Sequence, residues 1–553
     1  MKMNGAEIVI ETLIDHGVKD VFGFPGGTVL HIYDALYKYS SKINHYITCH
    51  EQGAAHAADG YARSTGNVGV VIATSGPGAT NLITGIATAY LDSTPLISIT
   101  GNVSLDLIGK DSFQEVDITG VTMPITKHNF MVKSIEELED ILCEAFEIAT
   151  SGRPGPVLID IPKNIQAEVY EYKGKVLNKR ILNNKEISLE KLERIAKIIN
   201  ESKKPYIYCG GGIILSNSSN ELVELAEKID SPIGCSIMGL SAINSKHPLA
   251  LGMTGMHGTY ASSKINSEAD VIIGVGVRFS DRATGDKNAY SAGSKIIHID
   301  IDNAELNKNI SSSESINGNI KDILPELIKL VDKKKNPKWQ EKIQEYKKVG
   351  EKIQFINEFN PKEIIKTVKK YAPNDTIITT DVGQHQMWTA QYYPFEKPRT
   401  FITSGGLGTM GFGVGAAIGA SIANNKAKTL LFTGDGSFHM NLNEISTAVL
   451  HELPIVVIIL NNNVLGMVRQ WQELFYENRC SETLITRKTD FLKLAEAFGA
   501  DGYNATNYNE LNSALEVAFQ NTKPTIINCL IGNNENVFPM VPPGKSIENM
   551  IIN

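Results

Sequence analysis

Residues 429–463, TLLFTGDGSFHMNLNEISTAVLHELPIVVIILNNN, contain two apolar runs that each end in polar residues. The first run ends in GDG (434–436) and the second ends in NNN (461–463), with a helix-like segment at about 440–451 between them. Continuous apolar runs are typical of strands in a parallel sheet, where both faces are covered. Neighbouring parallel strands bring their carboxyl ends to one edge, which is where open α/β sheets bind ligands.

The same alternation of apolar runs and helical segments recurs along the 553 residues. It predicts an α/β protein with three doubly wound parallel-sheet domains at 1–185, 189–335 and 360–553. The polar segment 171–188 is interpreted as a linker, and 332–352 as a solvated charged helix or a linker. The first and third domains both contain a helix of small residues, then an apolar strand, and then a glycine loop that opens a further helix. We therefore expect the first and third domains to share a related topology.

The overall composition excludes several classes of protein. The net charge of −8 and the lack of a long basic run argue against a nucleic-acid partner. No apolar stretch reaches the roughly 18 residues of a membrane span, and the N-terminus does not resemble a signal or transit peptide. The six cysteines include no CxxC pair, which indicates reduced thiols rather than a zinc site. We expect a cytoplasmic protein.

A glycine motif in the third domain permits one alternative function. Residues 406–411 match GxGxxG, follow an apolar stretch and precede a helix, with Asp435 at the end of the next strand. Alone, this pattern favours a nicotinamide-dependent dehydrogenase. That interpretation does not explain the glycines on both sides of Asp435, or the asparagines that end the following strand.

A divalent cation explains those residues together. Mg²⁺ prefers carboxylate, amide and carbonyl oxygens together with phosphate oxygens, and Asp435 and Asn462 supply the first two. Gly434 and Gly436 would let backbone N–H groups approach a phosphate. The sequence therefore predicts a Mg²⁺ site that clamps a diphosphate. The alternative without function is two tight turns capped by Asp and Asn.

The spacing from GDG to NN resembles the thiamine-diphosphate motif, in which the main-chain oxygen of Val464 would be the third metal ligand. Enzymes of this kind also need a glutamate, from another domain, that hydrogen-bonds the cofactor's aminopyrimidine ring. The candidate is Glu51 in HEQGAA, where an extended run becomes a helix. By itself, a glutamate at this position would more often only complement the helix dipole.

The chain resembles the catalytic subunit of acetohydroxyacid synthase (acetolactate synthase) over nearly its whole length. The matching stretches are FGFPGGTVLHIYDAL, HEQGAAHAADGYAR, TSGPGATNLITG, FQEVDITG, SGRPGPVLIDIPK, RFSDRATG, GQHQMW, FITSGGLGTMGFG, GDGSFHMN, NNNVLGMVRQWQELFY and FPMVPPG. The resemblance implies a pyrimidine-binding first domain, a central FAD-binding domain and a diphosphate- and Mg-binding third domain.

The resemblance also implies an activity. Pyruvate would be decarboxylated on thiamine diphosphate, and its hydroxyethyl (acetaldehyde) unit transferred to a second 2-keto acid, pyruvate or 2-ketobutyrate, in branched-chain amino acid biosynthesis. The cofactors would be thiamine diphosphate, Mg²⁺ and FAD, with FAD structural. A homodimer or homotetramer with active sites at the subunit interface is implied, with a possible small regulatory subunit. Pyruvate oxidase, a 2-keto acid decarboxylase and a non-catalytic paralogue are the alternatives.

The resemblance carries site residues over by position. The implied catalytic residues, some of them lining the reaction pocket from the partner subunit, are Glu51, Gln114, Lys163, Arg282 and Trp471. Arg282 and Trp471 resemble the pair that selects the second keto acid, since a guanidinium binds a carboxylate and an indole shapes an apolar slot. The implied thiamine-site and pocket residues are Gly27, Phe113, His385, Gln386, Gly408, Met410, Gly434, Gly436 and Met467.

The FAD contacts implied by the resemblance lie at the end of the first domain and in the central domain. They are Arg153, Gly210, Gly211, Gly212, Met256, His257, Arg278 and Asp300. Ser280 and Asn319 depart from the family pattern, which usually has aspartate at both positions. Both departures lie on the FAD side, so the resemblance supports thiamine binding more directly than FAD binding.

Overall fold

The structure is a computed structural model that describes residues 1–174, 187–485 and 487–552. It contains three six-stranded sheets, in which all strand pairs are parallel, and one two-stranded antiparallel sheet. The predicted α/β class with three doubly wound domains is therefore confirmed. Of the predicted linker at 171–188, residues 175–186 lie outside the described residues.

The first domain begins with a short strand that pairs with the strand ending the domain. Its strands are β1 (Lys2–Asn4), β2 (Asp20–Phe24), β3 (Asn44–Ile47), β4 (Gly69–Ala73), β5 (Leu96–Asn102), β6 (His128–Met131), β7 (Pro156–Pro162) and β8 (Val169–Glu171). Its helices are α1 (Gly5–Asp15), α2 (Leu30–Lys38), α3 (Glu51–Thr65), α4 (Pro77–Asn81), α5 (Ile83–Asp92), α6 (Ile118–Thr122), α7 (Ile135–Thr150) and α8 (Lys163–Ala167).

The central domain has a sheet with the strand order β11-β10-β9-β12-β13-β14, that of a dinucleotide-binding fold. Its strands are β9 (Pro205–Cys209), β10 (Ile233–Cys235), β11 (Ala250–Met253), β12 (Val271–Val275), β13 (Lys295–Asp300) and β14 (Glu314–Asn317). The helices from here to the third domain are α9 (Leu189–Glu201), α10 (Gly211–Leu215), α11 (Ser219–Ile229), α12 (Tyr260–Glu268), α13 (Asp281–Thr284), α14 (Lys287–Ser291), α15 (Ile320–Leu330) and α16 (Pro337–Glu351).

The third domain contains residues 429–463, the stretch with the two polar strand ends. Its strands are β15 (Ile377–Thr380), β16 (Phe401–Ile402), β17 (Thr429–Gly434), β18 (Ile455–Asn461), β19 (Asp501–Ala505) and β20 (Thr525–Leu530). Its helices are α17 (Pro361–Tyr371), α18 (Gln384–Tyr392), α19 (Phe412–Ala423), α20 (Asp435–Phe438), α21 (Glu444–Leu450), α22 (Gly466–Phe475), α23 (Phe491–Phe498) and α24 (Tyr508–Gln520). The helix predicted at 440–451 is thus shorter at its start, where 439–443 forms turns.

The first and third sheets have matching strand orders, β3-β2-β4-β5-β7-β6 and β16-β15-β17-β18-β20-β19. Counted from the first strand of each sheet, the two orders are identical. The expected relation between these two domains is therefore confirmed. In the first sheet the strand order reverses between the neighbours β2 and β4, and in the third between β15 and β17. The carboxyl end of such a switch point is where these folds bind ligands.

Helix α3 of the first domain packs against helix α19 of the third over surfaces of glycine and alanine. A Cβ atom on Gly60 would lie 2.2 Å from the backbone oxygen of Ala416, and one on Gly419 would lie 1.7 Å from that of Ala57. Only glycine permits this approach of two backbones. The small-residue helices predicted in both domains therefore join the two domains within one chain.

Segment 332–352 contains a helix, as predicted, but it is neither fully solvated nor a linker. On α16, Trp339 and Ile343 are 3% and 0% exposed and pack in the same cluster as Tyr206 and Ile265. The Trp339 indole also donates a hydrogen bond to the carbonyl of Pro205 at 3.0 Å. The many charged residues of this helix made it look solvated in the sequence, although two positions on one face are buried. We propose that the central domain extends to residue 351.

We expect the buried Asp160 on β7 to make the stability of the fold depend on pH. Its fully buried carboxylate accepts hydrogen bonds from Thr100 Oγ1 at 2.7 Å and Asn102 Nδ2 at 2.6 Å. Burial raises the pKa of Asp160 from 3.8 to about 7. The folded pKa exceeds the unfolded one, so this contribution to stability is complete below pH 3.8 and is lost as the pH rises through about 7.

We therefore expect Asp160→Asn to remove this pH dependence. The quantity to compare is the free energy of unfolding of the variant minus that of the wild type. This difference should be up to about 4 kcal/mol larger at pH 8 than at low pH, because each pKa unit corresponds to about 1.4 kcal/mol. Thermal midpoints of both proteins between pH 4 and 8 measure the effect. A difference that stays constant across this range would contradict the prediction.

Candidate functional site

A cavity of about 810 Å³ lies between the central and third domains. The third domain lines it with residues that follow β15, β16, β17 and β18, and the central domain with residues that follow β10 to β13. All of these segments leave the carboxyl ends of parallel strands. The cavity therefore occupies the position at which both sheets are expected to bind ligands.

The two polar strand ends of residues 429–463 meet in the lining of this cavity. Strands β17 and β18 are paired with Gly434 opposite Leu460, so Asp435 and Asn462 emerge side by side. Both side chains are buried, and the Asn462 backbone N–H is hydrogen-bonded to the Asp435 carboxylate. The Val464 N–H donates to Asn462 Oδ1 at 3.3 Å, and Val464 lines the same cavity.

This end of the cavity fits a hard divalent cation. Burial raises the pKa of Asp435 to about 6, so a cation beside this carboxylate would offset the cost of burying its charge. The described residues contain no group of three His, Cys, Asp or Glu side chains that could hold a metal. A site with one carboxylate, one amide and one main-chain oxygen requires no such group, and phosphate oxygens would complete it.

Gln384 holds the proposed amide ligand in place, although no pattern in the sequence indicated this role. Asn462 Nδ2 donates to Gln384 Oε1 at 3.3 Å, and Gln384 Nε2 donates to Gln470 Oε1 at 3.2 Å. Gln470 is fully buried and also binds the backbone N–H of Val537. The only sequence signal was that both glutamines adjoin selected residues, His385 and Trp471.

The GxGxxG loop does not form a dinucleotide site. At the start of helix α19, the N–H of Gly413 donates to Asp381 Oδ1 at 2.8 Å, and Thr433 Oγ1 donates to Asp381 Oδ2 at 2.7 Å. A carboxylate of the chain thus takes the place where a pyrophosphate would bind. Gly408, with φ of 73°, and Met410 line the cavity instead. The dehydrogenase alternative therefore lacks its phosphate site.

His385 and Gln386 both line the cavity at the start of helix α18. Burial lowers the pKa of His385 to about 3, so its ring is neutral, and its buried Nε2 has no hydrogen-bond partner among the described residues. A Cβ atom on Gly434 would lie 2.8 Å from His385 Nδ1. Gln386 donates to Thr403 Oγ1 at 2.7 Å and to the Ser404 carbonyl at 3.1 Å. Gly436 and Met467 line the same wall.

Arg282 and Trp471, from different domains, meet at the cavity wall. The Arg282 guanidinium lies over the Trp471 ring, 5.2 Å from its centroid. The Arg282 side chain is 60% exposed, and the buried Trp471 Nε1 has no hydrogen-bond partner in the part of the chain that is described. A cation above an indole can bind an anion while the ring provides an apolar surface.

The predicted FAD contacts fall into two groups. Met256, His257 and Arg278 line the cavity, where burial lowers the pKa of His257 to about 4. The unpartnered buried Nδ1 of His257 and Oε2 of Glu305, considered over the described residues, are polar atoms that a ligand could satisfy.

The second group does not line the cavity. Arg153 is paired with Glu305 at 2.9 Å and Asp302 at 3.3 Å. Gly210, Gly211 and Gly212 follow β9, where a Cβ atom on Gly210 would lie 2.0 Å from the carbonyl oxygen of Gly276. Asp300 ends β13 as a buried carboxyl that accepts the N–H of Asp302 at 2.8 Å. Asn319, one of the departures, caps α15 as an aspartate would.

The predicted residues of the first domain are not part of this cavity within one chain. Gly27, Glu51, Phe113, Gln114 and Lys163 instead follow strands of the first sheet or lie on a loop beside its carboxyl edge. Glu51 is 8% exposed and accepts a hydrogen bond from Asn81 Nδ2 at 2.9 Å, whereas Phe113 is 86% exposed. Gln114 has a φ of 60° and lies against Gly76.

Family comparisons match each of the three domains. Residues 3–121 match the N-terminal TPP binding domain of thiamine pyrophosphate (thiamine diphosphate) enzymes, 192–327 match their central domain, and 381–529 match their C-terminal TPP binding domain.

Among the described residues, no helix is both long and apolar enough to cross a membrane.

Similar proteins match over almost the full chain. The probable acetolactate synthase large subunit of Methanocaldococcus jannaschii is 45% identical over 99% of this chain and 95% of its own length. The acetolactate synthase large subunit of Buchnera aphidicola is 44% identical over 99% of this chain and 98% of its own. The isozyme 2 large subunit of Escherichia coli is 43% identical over 99% of both chains. The chain therefore belongs to the acetolactate synthase large-subunit family of thiamine pyrophosphate enzymes.

Proposed function

We propose that the protein decarboxylates pyruvate and joins the remaining two-carbon unit to a second 2-keto acid, giving 2-acetolactate from pyruvate or 2-aceto-2-hydroxybutyrate from 2-ketobutyrate. These products are precursors of branched-chain amino acids. The single observation that carries this proposal is the cavity in which Asp435, Asn462 and the Arg282–Trp471 pair lie together. Bound thiamine diphosphate would supply the electron sink for loss of carbon dioxide.

The residues of the cavity would bind and orient the reactants. Asp435, Asn462 and the Val464 carbonyl would hold Mg²⁺ and through it the diphosphate, with Gly434 and Gly436 allowing close backbone approach. Gly408 and Met410 would support the aminopyrimidine, together with His385, Gln386 and Met467. Arg282 would bind the carboxylate of the acceptor acid, and Trp471 would shape the slot for its alkyl group.

We propose that two chains together complete each active site. Glu51 lies outside its own chain's cavity, although hydrogen-bonding the aminopyrimidine would be its role. Phe113 and Lys163 are exposed at the same carboxyl edge of the first sheet as Glu51, with Gln114 half-buried. A second copy that places this edge over the cavity would supply all four residues. A homodimer, or a tetramer built from two dimers, is the expected assembly.

Three further assignments extend the proposal. FAD would be held by the central-domain residues at the cavity together with Arg153 and Asp300, which lie outside its lining, and it would have no electron-transfer role. The relatives are named large subunits, so a separate small regulatory subunit is an expected partner. Free cysteines throughout the described chain support a location in the cytoplasm.

One assay tests the activity directly. Purified protein is incubated with pyruvate while thiamine diphosphate, Mg²⁺ and FAD are omitted in turn, and acetolactate and acetaldehyde are measured separately. We expect acetolactate only when thiamine diphosphate and Mg²⁺ are both present. Acetaldehyde as the main product would indicate a decarboxylase, consumption of oxygen an oxidase, and no turnover a non-catalytic paralogue.

Trp471→Leu should reduce the preference for 2-ketobutyrate over pyruvate as the acceptor. Leucine is apolar but lacks the flat face against which Arg282 lies. An apolar pocket distinguishes substrates that differ by one methylene by about 1–3 kcal/mol, or 10- to 200-fold. We expect most of this preference for 2-ketobutyrate over pyruvate to be lost. The product ratio with both acids present measures this effect. Phe519→Leu on α24 is the matched control, because Lys428 Nζ lies over that ring, 5.4 Å from its centroid, and neither residue lines the cavity. It should leave the ratio unchanged. An unchanged ratio in Trp471→Leu would refute the assigned role.

A further inference from the structure

The loop Gly405–Gly408 lines the cavity without belonging to a helix or strand. All four residues are exposed, although the loop is flanked by buried Ser404 and Thr409. A loop without ladder hydrogen bonds opens easily unless other groups hold it. The loop contains Gly408 and is followed by Met410, so its position decides where two proposed cofactor contacts lie.

Asp92, at the end of helix α5 in the first domain, binds the backbone of this loop. Its carboxylate accepts the N–H of Gly405 at 3.1 Å and the N–H of Gly406 at 2.6 Å. The Asp92 side chain is fully buried, and hydrogen bonds to an ionised acceptor are stronger than neutral ones. A Cβ atom on Gly406 would lie 2.8 Å from Asp92 Oδ1, so this approach requires glycine.

Arg63, on helix α3, neutralises Asp92 and extends the contact. Its Nη2 donates to Asp92 Oδ2 at 3.0 Å, and its Nη1 donates to the carbonyl of Thr403 at 2.7 Å. Asp59, one turn earlier on α3, accepts from the same guanidinium. The Arg63 side chain is 11% exposed. Loss of one member of such a buried network leaves an uncompensated charge.

Helix α5 also holds the far end of the loop. Thr88 Oγ1 lies 2.7 Å from Thr409 Oγ1, and both residues are buried. Thr88 and Asp92 are one helical turn apart, so they face the loop together. The first domain is therefore hydrogen-bonded to the loop of its own chain at both ends.

We propose that Asp92 is a positioning residue for the proposed reaction, and the inference rests on that function. Its carboxylate, neutralised by Arg63, holds Gly405–Gly408 so that Gly408 and Met410 line the cavity. Asp92 does not touch the cavity itself, so it acts through the loop. Removing it should weaken cofactor binding while the binding groups remain intact.

The test measures thiamine diphosphate binding to the full-length protein with Mg²⁺ present. Trp388 and Trp471 line the cavity, so quenching of tryptophan fluorescence reports binding. We expect Asp92→Ala to raise the dissociation constant at least about tenfold and Asp92→Asn, which keeps one acceptor oxygen, to raise it less. At saturating cofactor, kcat should stay within about threefold of the wild type, because no group that contacts the reactants is removed.

Asp270→Ala is the matched control, since Asp270 accepts the N–H of Lys203 and Lys204 away from the cavity. It should lower the thermal midpoint but leave the dissociation constant unchanged. Unaltered binding in Asp92→Ala would overturn the inference, whereas a wild type that binds no thiamine diphosphate would overturn the proposed function. If Asp92→Ala does not fold, Thr88→Val decides. Loss of its hydrogen bond to Thr409 should weaken binding about threefold, and unchanged binding would overturn the inference.

Discussion

Glu51→Gln should lower turnover of pyruvate by roughly 100- to 10,000-fold, the range for loss of a positioned acid or base. Glutamine has nearly the same shape and can keep the hydrogen bond that Glu51 accepts from Asn81. It cannot release or accept a proton at the ring nitrogen of the aminopyrimidine. Binding of thiamine diphosphate and Mg²⁺ should therefore remain within a few-fold of the wild type, while steady-state turnover almost disappears.

A second glutamate separates this effect from helix capping. Glu7 lies in the first turn of α1, where its carboxylate accepts the N–H of Asn4 at 3.0 Å. Glu7→Gln should leave turnover unchanged, because its role is to cap a helix. If Glu51→Gln also retained near-normal turnover, Glu51 would only complement the dipole of α3 and the proposed site would be wrong.

Asp435→Ala should abolish saturable binding of Mg²⁺ and, with it, most binding of thiamine diphosphate. Loss of an outer-shell partner alone typically costs about 10- to 100-fold in metal affinity, so loss of a directly bound carboxylate should exceed that range. Activity titrated against Mg²⁺, and calorimetry with thiamine diphosphate in excess, measure the change. The thermal midpoint of the cofactor-free variant shows whether the fold is retained.

Asp281 is the matched carboxylate for this experiment. It lines the same cavity from the central domain, but its side chain is 78% exposed and lies beside Arg282. Asp281→Ala should keep the Mg²⁺ dependence of the wild type. A Mg²⁺ dependence that is unchanged in Asp435→Ala would contradict the metal assignment and favour the interpretation of Asp435 as a turn residue.

The sequence predicted well those features that depend on local pattern. Apolar strands bounded by polar residues identified the three parallel sheets, and the small-residue helices showed the relation between the first and third domains. The mistaken prediction for 332–352 has a physical cause. In α16, Trp339 and Ile343 are four residues apart on one face, among lysines and glutamates whose stems can cover apolar surface. The charge pattern alone indicated a solvated helix.

The sequence did not predict the residues that act by positioning other residues. Gln384 orients Asn462, and Asp92 holds Gly405 and Gly406, because folding brings together segments far apart in the chain. Neither residue has a spacing or composition that distinguishes it from an ordinary core or surface position. The exclusion of a dinucleotide site likewise depends on the tertiary structure, in which the Gly413 N–H donates to the Asp381 carboxylate.

By itself, the sequence determined the fold class, the family and the two strand ends proposed to bind the metal, because neighbouring parallel strands bring GDG and NNN to one edge. Only the tertiary structure decided which of the selected residues share a cavity. It joined Arg282 to Trp471 across two domains, and it separated Glu51 from its own chain's cavity. The physical reason is that α3, which begins at Glu51, is held against α19 of the same chain by close glycine contacts, and this packing fixes Glu51 outside the cavity.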